Sequence, residues 1–160
     1  MLAILALGGN LGDPREQIKE AIATLDAHDK IKVTATSPLV ESFALTEAGI
    51  DETAPRYLNG VVEVETTLSP EELLAATRNI ETEAGRVRDV RWGPRTLDID
   101  IITFGAVHQT TEELTLPHPR AHERSFVLTP WSLMQPEAVI PGRGKVAELA
   151  KSYPGEVWEA

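Results

Sequence analysis

The sequence predicts an α+β fold, an antiparallel sheet with helices packed on it. Three observations lead there. Hydrophobic stretches of strand length and stretches of helical spacing follow one another in the order β-α-β-β-α-β. Both helical stretches open on their own capping signal. No internal repeat or low-complexity segment interrupts the order. That order is the split βαβ, ferredoxin-like arrangement. The 160 residues are read as a single domain over 1–160, long enough to bury a substantial core.

Residues 2–7 (LAILAL) are continuously apolar, as suits a buried central strand, and Gly8-Gly9-Asn10 reads as the turn after it. Asp13-Pro14-Arg15-Glu16 opens a helix. Asp13 can cap, Pro14 suits the first helical position, and Glu16 stands where a capping-box acid belongs. Ile18, Ile22 and Leu25 share one side and carry the helix to about residue 27. Ile31 to Val40 reads as a second strand, loosely ended by Ser37-Pro38. Residues 44–56 (ALTEAGIDETAPR) are acidic and aperiodic and read as a mobile surface loop. Tyr57 to Thr66, rich in Val and Thr, is the third strand. Ser69-Pro70-Glu71-Glu72 repeats the helix-start chemistry, with Ser69 as cap and Glu72 as its reciprocal acid. Leu73, Leu74, Thr77, Ile80 and Ala84 have helical spacing, and Gly85 stops the helix. An arginine-rich loop leads into a strand over 96–104. Gly105 turns the chain, 106–117 reads as a short hairpin, and 125–134 and 145–152 read as shorter helices.

Composition narrows the function. Hydrophobic residues make up 42% of the chain, too many for a disordered segment. No apolar run has membrane-spanning length, and the apolar start lacks a basic leader, so it reads as a buried strand and not as a signal peptide. With no cysteine there are no disulfides or thiolate metal sites, and the cytoplasm is the expected compartment. The net charge is −10. Residues 85–95 carry four arginines and one aspartate, a local +3, so the remainder carries −13. A polymer-binding protein shows a broad basic face. One basic loop in an acidic chain fits a small anionic ligand better, so no nucleic acid is expected as a partner.

The chemistry concentrates in Arg86 to Thr103 (RVRDVRWGPRTLDIDIIT). Asp98 and Asp100 alternate with Leu97, Ile99 and Ile101, so both carboxylates share one strand face, roughly 7 Å apart along the chain. Such a pair suits a hard divalent cation, or it is the solvated face of an amphipathic strand. Arg86, Arg88, Arg91 and Arg95 offer planar forks for phosphate oxygens, or plain surface charge. Trp92 can stack on an adenine or fill a hole in the core. His118 and His122 are four apart, but Pro117 and Pro119 disfavour the helix that a shared metal needs. His118 is a candidate hydrogen-bond partner for a phosphate or sugar, or an ordinary loop histidine. Asn59 could read a heterocycle edge or face solvent, and Phe126 could stack on a flat ligand or pack in the core. No GxGxxG, GK[ST] or Gly-x-Ser-x-Gly motif is present. The residues alone reach metal-assisted transfer from a nucleotide.

Four blocks in order resemble the 6-hydroxymethyl-7,8-dihydropterin pyrophosphokinases of folate biosynthesis: LGGNLGD at 7–13, YLNGVVEVET at 57–66, GRVRDVRWGPRTLDIDII at 85–102 and LPHPRAHERSFVLTP at 116–130. The resemblance implies a ferredoxin-like fold and transfer of the β,γ-diphosphate of ATP to the pterin hydroxymethyl group, with release of AMP. It implies that Asp98 and Asp100 hold one or two Mg2+ ions and that Arg86 and Arg95 are catalytic. Glu81, Arg88, Trp92, Ile101, Thr115, His118 and Arg124 fall at nucleotide-side positions. Ser42, Leu45, Tyr57, Asn59 and Phe126 fall at pterin-side positions. The family's Thr-x-Pro before the Tyr-Leu-Asn strand is replaced here by ESFALTEAGIDETAP, with Ser42 in place of the Thr, no matching Pro and a longer loop. The expected partners are ATP and the pterin alone, with no membrane and no second subunit. The rivals are another metal-dependent nucleotidyl or phosphoryl-transfer enzyme and a non-catalytic ferredoxin-like ligand-binding module.

Overall fold

The computed structural model describes residues 1–10, 12–42, 44–46, 49–51, 56–84, 97–152 and 157–159. In chain order, β1 (Leu2–Gly9), α1 (Pro14–Ala27), β2 (Ile31–Thr36) and β3 (Val40–Ser42) precede a small hairpin of β4 (Ala44–Thr46) and β5 (Gly49–Asp51). Next come β6 (Tyr57–Thr66), α2 (Pro70–Glu83) and β7 (Asp98–Phe104). The rest is made of shorter pieces. These are the hairpin β8 (Gln109–Thr110) and β9 (Thr115–Leu116), a 3-10 turn at Ala121–Glu123 and α3 (Ser125–Met134). After them come β10 (Val139–Ile140) paired with β11 (Gly144–Lys145), α4 (Val146–Ser152) and β12 (Val157–Glu159). Among the described residues no helix is long and apolar enough to cross a membrane.

β1 runs down the middle of the antiparallel main sheet, with β6 on one side and β7 on the other. β2 and β3 pair in succession with the far edge of β6, and β12 adds outside β3. Taken as one strand, β2 and β3 complete the expected split βαβ order. The strand predicted over 31–40 is this single line of pairing, broken in the middle. Pro38 has no N–H to give the ladder. Ser37 bridges the break: its N–H donates to the Val61 carbonyl at 2.8 Å, and its Oγ accepts the Val61 N–H at 2.8 Å.

Both predicted N-caps form, with the reciprocal capping box at α2. The Asp13 side chain accepts the Glu16 N–H at 3.2 Å. At α2 the Ser69 Oγ accepts the Glu72 N–H at 3.2 Å, and the Glu72 carboxylate accepts the Ser69 N–H at 2.9 Å. These bonds, the backbone one foremost, hold the Glu72 carboxyl below the usual carboxylate range.

The two helices of the β-α-β-β-α-β order, α1 and α2, share one face of the sheet, and α3 from the tail covers the other. Ile18 and Leu25 of α1 and Leu73 of α2 pack on Leu5, Leu7, Val62 and Ile99. On the opposite face Val127, Leu128 and Trp131 of α3 pack on Ile4, Val61 and Ile102. The reason lies in β1, whose unbroken apolar run presents Leu5 and Leu7 to one side and Ile4 to the other. A strand apolar on both faces needs two covers. The buried Trp131 indole N–H donates to Gln135 at 3.1 Å, and Gln135 donates to Glu63 of β6 at 2.7 Å, so the second layer is also tied by polar bonds.

Other differences are local. β1 continues through Gly8 and Gly9, which pair with Asn59 and Leu58, so the predicted turn starts two residues later. Within the predicted surface loop 44–56, the backbone of β4 and β5 pairs as a hairpin. β10, β11 and β12 were not expected, because strands of two or three residues are too short to show a period.

Candidate active site

Strand β7 sorts its side chains by alternation. Ile99 and Ile101 belong to the core under α1 and α2, while Ile102 belongs to the core under α3. Asp98 and Asp100 therefore lie half-buried on the α3 face. The register with β1 then slips: Leu5 opposes Ile101, but Ile4 opposes Thr103. Ile102 is the extra residue of a β-bulge, a device that re-aims a strand. Its carbonyl accepts the His118 N–H at 2.8 Å. The bulge thus pins the His118 loop to the strand that carries both aspartates.

Two expected nucleotide-side residues are not brought to that face. Ile101 is 2% exposed and buried in the α1/α2 core. Glu81, also 2% exposed, reaches β7 from α2, and its carboxylate accepts the Ile99 N–H at 2.8 Å. Ile99 stands between the two aspartates, so Glu81 fixes the backbone that presents them.

The pterin-side candidates gather two strands away on the same face. Asn59 pairs in register with Val40 on one side and with Gly8 on the other, and Gly8 pairs in turn with Asp98. One row across the sheet therefore reads Val40, Asn59, Gly8, Asp98. Asn59 donates from Nδ2 to the Ser42 hydroxyl at 3.4 Å, and both residues are buried. Ser42 is in register with Tyr57, which shares the face of Asn59 by alternation. Phe126 comes from the first turn of α3 and packs beside this core. The Arg124 guanidinium carbon stands 5.7 Å from the centre of the Phe126 ring, a cation–π distance.

Arg124 also links the two groups. Burial, then the positive charge of Arg124, pushes the His118 pKa down to about 4, against the opposite pull of Asp98. His118 is neutral near pH 7. Its Nδ1 accepts the Arg120 N–H at 3.1 Å, so the ring proton sits on Nε2, ready to donate. His118 and Thr115 line an open cleft of about 340 Å3 together with His108, Pro141 and Arg143.

Arg86, Arg88, Trp92 and Arg95 lie outside the described residues, and Leu45 is described in its backbone alone. Reading the sequence passed over Gly8, taken as part of a turn. Only the pairing register reveals that it separates Asn59 from Asp98.

The family profile of 7,8-dihydro-6-hydroxymethylpterin-pyrophosphokinase matches residues 4–136. The 2-amino-4-hydroxy-6-hydroxymethyldihydropteridine pyrophosphokinase of Bacillus subtilis is 45% identical over 129 residues, 81% of this chain and 75% of that protein. The protein of the same name from Pseudomonas aeruginosa is 41% identical over 152 residues, 95% of this chain and 91% of that one. Among solved structures, the Plasmodium falciparum HPPK-DHPS crystal structure with pteroate superposes at a TM-score of 0.70 with 16% identity. The match covers 95% of this chain and 42% of that chain, and it speaks for the fold.

Proposed function

The chain belongs to the 7,8-dihydro-6-hydroxymethylpterin-pyrophosphokinase family, and on that premise we propose which of its side chains carry the reaction. The protein is an ATP-dependent diphosphotransferase. It moves pyrophosphate from ATP to the hydroxymethyl group of 6-hydroxymethyl-7,8-dihydropterin, a step of folate biosynthesis that leaves AMP. The new bond joins the hydroxymethyl oxygen to the β-phosphorus, the bond from that phosphorus to the AMP oxygen breaks, and the hydroxyl proton passes to solvent.

Asp98 and Asp100 suit Mg2+. They are two hard oxygen donors on one strand face, fewer than the six ligands of a full shell. That leaves coordination positions for water and the triphosphate, the usual manner of binding this ion. One or two Mg2+ ions held there would neutralise phosphate charge and orient the β-phosphorus.

The remaining roles belong to the chain itself. His118 donates from Nε2 to an anionic oxygen of the nucleotide, with Thr115 and Arg124 beside it. Arg88 and Trp92 complete the nucleotide side. Arg86 and Arg95 meet the charge that grows on the transferred diphosphate, in a reaction that relies on positioning and electrostatics. Asn59 reads the heterocycle edge with Ser42 behind it. Tyr57 and Phe126 stack on its faces, and Leu45 borders it. Glu81 and Ile101 serve the nucleotide side indirectly, as supports of β7. We read residues 1–160 as one domain that works as a cytoplasmic monomer on two small molecules, without nucleic acid or membrane.

The observation that carries this assignment is the row Asn59, Gly8, Asp98, which sets the pterin-side amide and the metal-side carboxylate on one face. Asp98→Ala and Asp100→Ala test it. Each is expected to lower kcat by about 100-fold or more, the scale of losing one charge-stabilising group, while pterin affinity stays within about twofold of wild type, well under one kcal/mol. Near-normal turnover in both variants rejects the assignment.

A further inference from the structure

Gly8 stands in the middle of the site, yet no role attaches to it. It pairs with Asn59 on β6 and with Asp98 on β7. Neighbouring strands lie about 4.8 Å apart, so Asn59 and Asp98 flank it at roughly that spacing. A Cβ built on Gly8 would stand 2.3 Å from the Asn59 Oδ1, 3.3 Å from its Cγ and 3.3 Å from the Leu58 carbonyl oxygen. The amide oxygen of Asn59 therefore lies in the space that a side chain at position 8 would fill. The amide nitrogen points the other way, to the Ser42 hydroxyl at 3.4 Å. Asn59 thus lies across the sheet, its nitrogen anchored towards β3 and its acceptor oxygen extended over β1 towards Asp98.

We propose that Gly8 is a positioning residue for pterin recognition: its missing side chain lets the Asn59 amide lie over β1, extended towards Asp98. The inference rests on the pterin reading of Asn59. The consequence is chemical. The oxygen laid over Gly8 is an acceptor, so it selects a ring edge that offers an N–H. A methyl group there pushes the amide aside. The strand itself can carry alanine, because Gly8 is not one of the glycines with a left-handed backbone and pairs as an ordinary strand residue.

The test is a double-mutant cycle read by pterin binding, with a non-hydrolysable ATP analogue and Mg2+ as the control ligand. Gly8→Ala is expected to weaken pterin binding at least tenfold and leave the affinity for the ATP analogue within twofold. Asn59→Ala is expected to lose a similar factor. The double variant is expected to bind the pterin no worse than Asn59→Ala, because the group that Gly8 positions is then gone. A Gly8→Ala protein with pterin affinity within twofold of wild type overturns the proposal. So does a double variant tenfold weaker than Asn59→Ala. If Gly8→Ala alone fails to fold, the double variant relieves the contact and still decides the question by its affinity relative to Asn59→Ala. A wild-type chain that binds no pterin sinks the functional reading itself; a wild type that binds, with Gly8→Ala unimpaired, sinks this inference alone.

Discussion

His118 stays neutral across the neutral pH range, with Nδ1 accepting the Arg120 N–H and Nε2 left to donate. Its pKa stands at about 4 in the folded chain, against the ordinary value of 6.5, with burial the main cause. Below pH 6.5 the unfolded chain takes up a proton at this residue that the folded chain refuses, until about pH 4. Stability from His118 is therefore complete above pH 6.5 and declines as the pH falls towards 4. Urea titrations of wild type and His118→Gln across this window should show a shallower pH slope in the variant. A His118 NMR titration midpoint near 6.5 would contradict the burial argument. Such a property could not be read from PHPR, since it depends on Arg124 and the bulged β7 arriving from elsewhere in the chain. Asp98 and Asp100 were legible, because flanking Leu97, Ile99 and Ile101 force the alternation. The bond from Glu81 to β7 was not legible, as its partner is a backbone N–H 18 positions away.

At the scale of elements, two helix contacts carry separable effects. The capping box at Ser69 secures the start of α2 and touches no ligand. Ser69→Ala should cost about 1 kcal/mol, which lowers Tm by roughly 2–4 °C in a chain of this size, with kcat unchanged. Further along the same helix, Glu81 satisfies the buried Ile99 N–H. Glu81→Leu orphans that group at a cost of about 1–3 kcal/mol. Because β7 then loses its hold between the aspartates, kcat should fall as well, with Glu81→Gln retaining much of both. Calorimetry and steady-state kinetics on the three variants check the split; a fully active Glu81→Leu enzyme would show that β7 needs no such support. The long elements were readable because each carries its own signal: a cap, a 3.6-residue spacing or a Val-rich run. The β4–β5 hairpin and β12 were not, since two or three paired residues hold by backbone bonds and leave no side-chain period.

Across the whole molecule, one continuous apolar strand explains both the architecture and the position of the site. LAILAL forces covers on both faces of the sheet, and α3, which makes the second cover, brings Phe126 and Arg124 over the face that holds Asn59 and Asp98. The order of elements predicted the sheet but not the second layer, because a continuous run marks a strand as buried without saying what buries it. The charge distribution agrees with a small phosphorylated ligand: an acidic chain of net −10 with four arginines gathered between positions 86 and 95. The most direct measurement is 31P NMR of the protein with ATP, Mg2+ and 6-hydroxymethyl-7,8-dihydropterin. AMP should accumulate one-to-one with a pterin diphosphate, cease when the pterin is left out, and all but vanish in Asp98→Ala. Formation of ADP instead, or AMP release indifferent to the pterin, would contradict diphosphate transfer at this site.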